Sequence, residues 1–298
     1  MMRALLAIFC LLVVGCAQRE HVVLYTSQDQ FYAEPILKEF TAATGIEVRP
    51  VFDTESAKTA ALAHRLRAEK NNPQCDVFWS NEEMHMRLLA RDGVIPADQI
   101  KAVGFRTRQV VINTNLLSLA EAPKSLLDLV NEKWRGKVAL AYPLFGTTSA
   151  HFMALRQHWG EEQFRDWCAA LVTNGAKVVD GNSVVVRLVG AGECAIGLTD
   201  SDDVQAGLNQ GFPIAVTDFK EQFVIPNTIA IVTGTPHLAL AQKLADYLSS
   251  PGTLQHLAKL GALAGPDVSA APQSLVVDWS KADLDALNEV LKQIFLRS

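Results

Sequence analysis

The chain has 298 residues with a formal net charge of -5, 49% hydrophobic and 20% charged residues, 18 Gly and 12 Pro. At roughly 100 to 200 residues per domain this is enough for two domains or lobes, and the balance excludes a disordered or collagen-like chain. An acidic chain with no Lys/Arg cluster also lacks the means for counterion-release binding to nucleic acid or to an anionic membrane surface. A small molecule or another protein is the expected partner.

Residues 1–15 place Arg3 before the apolar run Ala4 to Val14 and end at Gly15, the layout of an export signal. The run falls short of the about 20 apolar residues a spanning helix needs, and no later stretch is continuously apolar over about 18. Val13-Val14-Gly15-Cys16 resembles the bacterial lipobox. Cys16 is therefore predicted to carry lipid and anchor the chain at the outer face of a membrane; the alternative is ordinary cleavage nearby with Cys16 incidental. Cys75, Cys168 and Cys194 remain, without C-x-x-C or Cys/His ligand spacing. Either Cys168 pairs with Cys194, or all three are small buried thiols.

His21 to Tyr25 reads as a buried strand, followed by the polar turn Thr26 to Gln30 and a helix to Thr44, with Tyr32, Ile36 and Phe40 on one face and Gly45 at its end. Ile46 to Arg49 alternates as a strand, a helix spans about Ala57 to Lys70, and Asp76 to Ser80 is a further strand. This alternation predicts an α/β layer with ligands outside the carboxyl ends of the strands, at Thr26 to Asp29 and Ser80 to Glu82. The theme repeats: Arg108 to Asn113 and Lys137 to Ala141 as strands, a polar loop at Phe145 to Ser149, then a helix to about Trp159. Lys177 to Val179 and Ala195 to Leu198 open onto the polar stretches Asp180 to Ser183 and Thr199 to Asp203, and Val224 to Val232 returns to strand composition.

Gly146-Thr147-Thr148-Ser149-Ala150 is the best local anion site. If a helix starts there, its free N–H groups, its dipole and three hydroxyls converge on one spot; otherwise Thr147 or Thr148 merely caps the helix. Asn182 and Ser183 add neutral donors from a neighbouring loop. The acids Asp200, Asp202 and Asp203 either hold a cation or divide between a helix cap and solvent. No G-x-S-x-G, H-E-x-x-H, G-x-x-x-x-G-K-S/T or G-x-G-x-x-G occurs, which removes the common hydrolase, protease, NTPase and dehydrogenase signatures. His85, His151 and His158 lack ligand-type partners, and Phe78 and Trp79 form either a ligand wall or core.

Phe40-Thr-Ala-Ala-Thr-Gly-Ile-Glu-Val48, Asp76-Val-Phe-Trp-Ser80, Pro123-Lys-Ser-Leu-Leu-Asp-Leu129, Lys133-Trp-Arg-Gly-Lys-Val138, Gly146-Thr-Thr-Ser-Ala-His151, Gly197-Leu-Thr-Asp-Ser-Asp-Asp203 and Ile225-Pro-Asn-Thr228, in this order, resemble the ferric-iron-binding subgroup of the extracellular solute-binding proteins of ABC importers. The resemblance spans nearly the whole chain after the leader. It implies a two-lobed type II periplasmic-binding-protein fold with mixed, mainly parallel sheets and hinge strands between the lobes. It places lobe 1 at 16–107 and 227–275, lobe 2 at 108–226, and a C-terminal helix in 276–298 docking on lobe 2. It also implies a periplasmic monomer without catalytic residues, closing on a small solute and delivering it to an ABC permease, or to a receptor if the role is sensing.

Iron-binding relatives use a His after the first strand, a Glu after the third and a Tyr pair in the second lobe. Here those positions hold Asp29, Asn81, and Asp200 with Ser201. With that ligand set replaced and the anion pocket kept, the expectation is a phosphonate-like or zwitterionic solute. Its head would rest on Gly146, Thr147, Thr148, Ser149, Ala150 and Asn182, and its ammonium would face Asp200, Asp29 or Glu82. Ser27, Asn81, Ser201 and Asp203 complete the expected site, with no cofactor. Ferric iron as cargo on carboxylates such as Asp29 and Asp200 is the alternative, and an exported enzyme using Asp200 or Asp203 as general acid or base is the alternative of another class.

Overall fold

The computed structural model describes residues 20–52, 58–271 and 275–296, so Cys16 and the leader lie outside the described residues. Strand β1 (His21–Thr26) feeds helix α1 (Gln30–Thr44), which turns at Gly45 with φ 74° into β2 (Glu47–Phe52). Helix α2 (Lys58–Ala68) leads to β3 (Val77–Ser80) and α3 (Met84–Arg91). Strand β1 pairs in parallel with both β2 and β3, as right-handed βαβ crossovers require.

The chain then enters β4 (Lys101–Asn113), a 13-residue strand that serves two sheets. Lys101 to Thr107 pairs with β9 (Val224–Ile231), and Arg108 to Ile112 pairs with β7 (Ile196–Asp200), antiparallel in both cases. Beyond β4 come β5 (Val138–Ala141), α4 (Gly146–Trp159), α5 (Glu161–Thr173), β6 (Lys177–Val179), α6 (Asn182–Gly190), β7, α7 (Ser201–Asn209) and the short β8 (Ile214–Val216), which pairs with β4. After β9 the chain returns to the first lobe through α8 (Leu238–Leu248) and α9 (Pro251–Leu260), and ends with α10 (Leu284–Phe295) against α5.

The strand order β2-β1-β3-β9-β4-β7-β5-β6 forms two parallel-rich halves joined through β4 and β9. One core packs α1, α8 and α9 on the first half; another packs α4, α5 and α10 on the second. Phe78 and Trp79 are fully buried in the first-lobe cores rather than walling a ligand.

Two local expectations are corrected. Strand β4 starts seven residues before Arg108, because Lys101 to Thr107 lacks an apolar run and bulges between Ala102 and Phe105. Gly104 sits in that bulge at φ 85°, where a Cβ would approach a Leu263 methyl carbon to 2.5 Å, so only glycine fits. The stretch at Asn182 is the start of α6 rather than a loop. Cys75, Cys168 and Cys194 are buried free thiols, with Cys168 and Cys194 in different apolar clusters, so the pairing of those two is not formed.

Candidate functional site

In the second lobe, α4, α6 and α7 all begin just past the carboxyl ends of β5, β6 and β7, and their first residues meet around one side chain, Arg108. Strand register sets this up: Arg108 lies directly opposite Asp200, and a pair facing across a ladder is within side-chain reach. Arg108 Nη1 donates to Asp200 Oδ1 at 2.6 Å, to Asn182 Oδ1 at 3.2 Å and to Thr148 Oγ1 at 3.4 Å. Asp200 Oδ2 accepts from Thr147 Oγ1 and, at 2.9 Å, from Asn182 Nδ2. The ion pair is wholly enclosed, with Arg108 1% and Asp200 2% exposed.

Several expectations change here. Phe145, not Thr147 or Thr148, occupies the N-cap of α4 and makes no side-chain cap; both hydroxyls turn instead to the Arg108–Asp200 pair. Asp200 occupies the N-cap of α7 without capping it, since both of its oxygens are engaged. Its two oxygens accept three bonds between them, which leaves Oδ1 a lone pair for a further partner. Arg108 Nε and Nη2 and Ser149 Oγ have no hydrogen-bond partner among the described residues. Arg108 reaches the Gly146 to Ala150 helix start through Thr148, and buried donors left unmatched there are costly unless they serve an acceptor.

Arg106, two residues earlier on the same face of β4, builds a second ion group. Its Nη1 lies 2.9 Å from Asp202 Oδ2 and its Nη2 3.7 Å from Asp29 Oδ2, so it joins a first-lobe acid to a second-lobe acid. Burial acts to lower the guanidinium pKa, but Asp202, Asp29, Asp200 and Asp203 outweigh it and hold the group above its ordinary value. Asp29, Tyr32, Phe31, Ser183, Asp202 and Asp203 line a cleft of about 420 Å³ between the lobes. The Tyr32 phenol is pushed up to about 12, by burial first and by Asp202 second.

The first-lobe residues behave differently. Ser27 Oγ donates to Asn81 Oδ1 at 3.0 Å, Asn81 Nδ2 returns a bond to Ser27 O at 3.0 Å, and Thr59 Oγ1 joins at 3.2 Å. Glu82 is fully buried and bonds to His85, whose Nδ1 lies 2.8 Å from Oε1. Ser201 Oγ accepts from Thr107 N at 3.2 Å, tying α7 to the hinge strand. Sequence reasoning passed over Arg106, Arg108 and Tyr32. The overlooked signal is the pairing of Arg106-x-Arg108 on β4 with Asp200-x-Asp202, which spans the end of β7 and the start of α7.

Two lobes joined by crossing strands, with a polar ion-lined cleft between them, define a protein that encloses a small solute by hinge closure. Residues 22–262 match the family model described as bacterial extracellular solute-binding protein, and the chain belongs to that family. It is a family of binding proteins, not enzymes. The chain is 28% identical over 275 residues to a Fe(3+)-binding periplasmic protein of Serratia marcescens, covering 83% of this chain and 79% of that protein. It is also 28% identical over 191 residues to the major ferric iron-binding protein of Neisseria meningitidis, covering 58% of this chain; the match spans only 56% of that relative's length. Its fold is similar to that of iron-bound HitA from Pseudomonas aeruginosa, with a TM-score of 0.81 over 93% of this chain and 99% of the other at 17% identity. Type II periplasmic binding proteins share this two-lobed architecture. No helix among the described residues is long and apolar enough to cross a membrane.

Proposed function

We propose that the chain is the periplasmic solute-binding component of an ABC importer and that its cargo is ferric iron held together with a small oxyanion. One observation carries this reading: Asp200, Asp202 and Asp203 bring ligand oxygens within 4.8 Å of one another, next to buried Arg106 and Arg108. With Asp29 these acids form a hard, anionic oxygen set that attracts a trivalent cation and meets a phosphonate dianion with like charge. Buried charge must be paired, and hard carboxylate oxygens suit a hard cation. The names of the relatives that match over most or half of this chain point to the same cargo.

The division of labour follows from the contacts. Asp29, Asp202 and Asp203 line the cleft with Tyr32 beside them, and Asp200, which also holds Arg108, is the fourth carboxylate. A phenol held at about 12 keeps its proton in the empty cleft, and metal ligation there would release it. The companion anion rests on Arg108 Nε and Nη2 and Ser149 Oγ, with Gly146 to Ala150 supplying the helix start. Closure brings both halves together and, with the lipid expected on Cys16, keeps the protein at the membrane near its permease.

The second reading, a metal-free phosphonate-like solute, draws on those same unmatched donors. Titration of chelator-treated protein with ferric citrate and, separately, with 2-aminoethylphosphonate in excess chelator divides the two. Ligand at about 100 times its dissociation constant adds about 2.7 kcal/mol, a thermal shift of a few degrees. The iron reading expects a coloured complex and a shift that chelator reverses. A shift with the phosphonate in chelator and none with ferric citrate would establish the second reading in its place.

A further inference from the structure

The C-terminal segment is fastened to the second lobe at three places. Leu275 N donates to Gln222 O at 3.0 Å, the Gln157 amide of α4 exchanges bonds of 3.1 and 2.9 Å with the backbone of Asp278, and α10 buries Leu287, Leu291 and Phe295 in that lobe's core. From this base one side chain reaches back to the first lobe: Trp279 Nε1 donates to Glu83 Oε2 at 3.1 Å. Glu83 stands at the start of α3, its side chain 15% exposed and its other oxygen engaged by Arg87. Met84 and Leu88, which follow it on α3, insert into the same apolar cluster as Ala282 and Leu287. Among the described residues, neither Trp279 nor Glu83 bonds to Arg106 or Arg108.

We propose that Trp279 and Glu83 form a latch across the lobe boundary that sets how far the closed state is favoured, and through it the affinity of the cleft. The inference rests on the two-lobed architecture and not on the identity of the cargo. A bond from an indole N–H to a half-enclosed carboxylate is charge-assisted and directional. Because its donor is fixed to one lobe and its acceptor to the other, hinge opening breaks it. Apparent affinity scales with the fraction of protein already in the binding-competent state, so a closed-state bond outside the pocket tightens every cargo by one common factor. A residue that touches cargo would instead change the ratio between cargoes.

Trp279→Phe keeps the ring and removes the donor. Ferric citrate and inorganic phosphate, used as two separate probes, should both bind about tenfold more weakly to this variant, and by the same factor. Glu83→Ala should match it, Glu83→Gln should retain most of the affinity through its amide oxygen, and the Trp279→Phe/Glu83→Ala double variant should be little worse than either single one, because one bond is lost once. Without any ligand, small-angle scattering should give a larger mean radius of gyration for Trp279→Phe than for the wild type. An unchanged radius of gyration in Trp279→Phe, or losses that differ between the two probes, would overturn the latch. If neither probe binds the wild type, the cargo reading fails and the scattering comparison alone decides the latch.

Discussion

At the carboxyl ends of β1 and β3 the buried side chains largely satisfy one another: Ser27, Asn81 and Thr59 form one group, and Glu82 bonds to His85. The group built from β4 and the starts of α4, α6 and α7 is charged and less completely matched, with Arg108 Nε, Arg108 Nη2 and Ser149 Oγ lacking partners among the described residues. A self-satisfied group holds its shape whether or not cargo is present. An unmatched group carries a desolvation cost that cargo can relieve. Recognition chemistry is therefore shared: Asp29 and Tyr32 of the first lobe line the cleft with Asp202 and Asp203, while the unmatched donors sit on the second lobe and the hinge strand.

The largest effect should come from Arg108→Met. It strands Asp200 as an uncompensated buried carboxylate, which costs about 3–5 kcal/mol, and it removes the anion's principal donor. Urea denaturation should show the loss, and the double variant Arg108→Met/Asp200→Asn should regain part of it because the stranded charge is gone. A single variant as stable as the wild type would mean that the pair is not enclosed as described. In the first-lobe group, Asn81→Ala should cost about 1–3 kcal/mol of stability by orphaning the Ser27 and Thr59 hydroxyls. Measured under conditions where the variant is fully folded, its affinity should stay within about twofold of the wild type.

Ser149→Ala reverses that pattern. Removing a buried hydroxyl without a partner should leave stability unchanged or slightly higher, while weakening cargo binding about fivefold, as a lost hydrogen bond of about 1 kcal/mol implies. Calorimetry and thermal melting on one sample separate the two. Unchanged affinity would remove Ser149 from the anion site.

What the sequence discloses of this arrangement, and what it hides, has a physical basis. The α/β alternation, Gly45 at the end of α1 and the helix start at Gly146 to Ala150 are readable because helix starts after parallel strands carry local composition signals. Arg106 and Arg108 escaped because their meaning is non-local. A charged residue in a strand reads as a solvated edge until a partner strand about 90 residues away brings its acid into register. The seven residues at the start of β4 escaped for a similar reason, since that half is held by pairing with β9 and by Gly104 rather than by an apolar run of its own. The self-locking of Ser27 with Asn81 is likewise a property of two strands together, which made both look like ligand donors when taken singly.

An effect that is small at pH 7.5 and grows only as the pH falls lies in His151, which is fully buried, with its ring stacked on Phe223 at 5.6 Å and neither nitrogen bonded among the described residues. Burial, and after it the charge of Arg108, pushes this imidazole well below its ordinary value. The sign follows directly. Below about pH 6.5 the unfolded chain takes up a proton at this position that the folded chain refuses, so stability is fully present above that pH and declines as the pH falls, by up to about 1.4 kcal/mol per pH unit. His151→Leu removes the titrating group and should flatten that part of the slope between pH 7 and pH 5, with little change at pH 7.5 beyond the repacking cost. Urea midpoints at half-unit pH steps test this. Parallel slopes for the two proteins would show that the ring accepts its proton in the folded state, and hence that the space behind Arg108 is open to water rather than sealed.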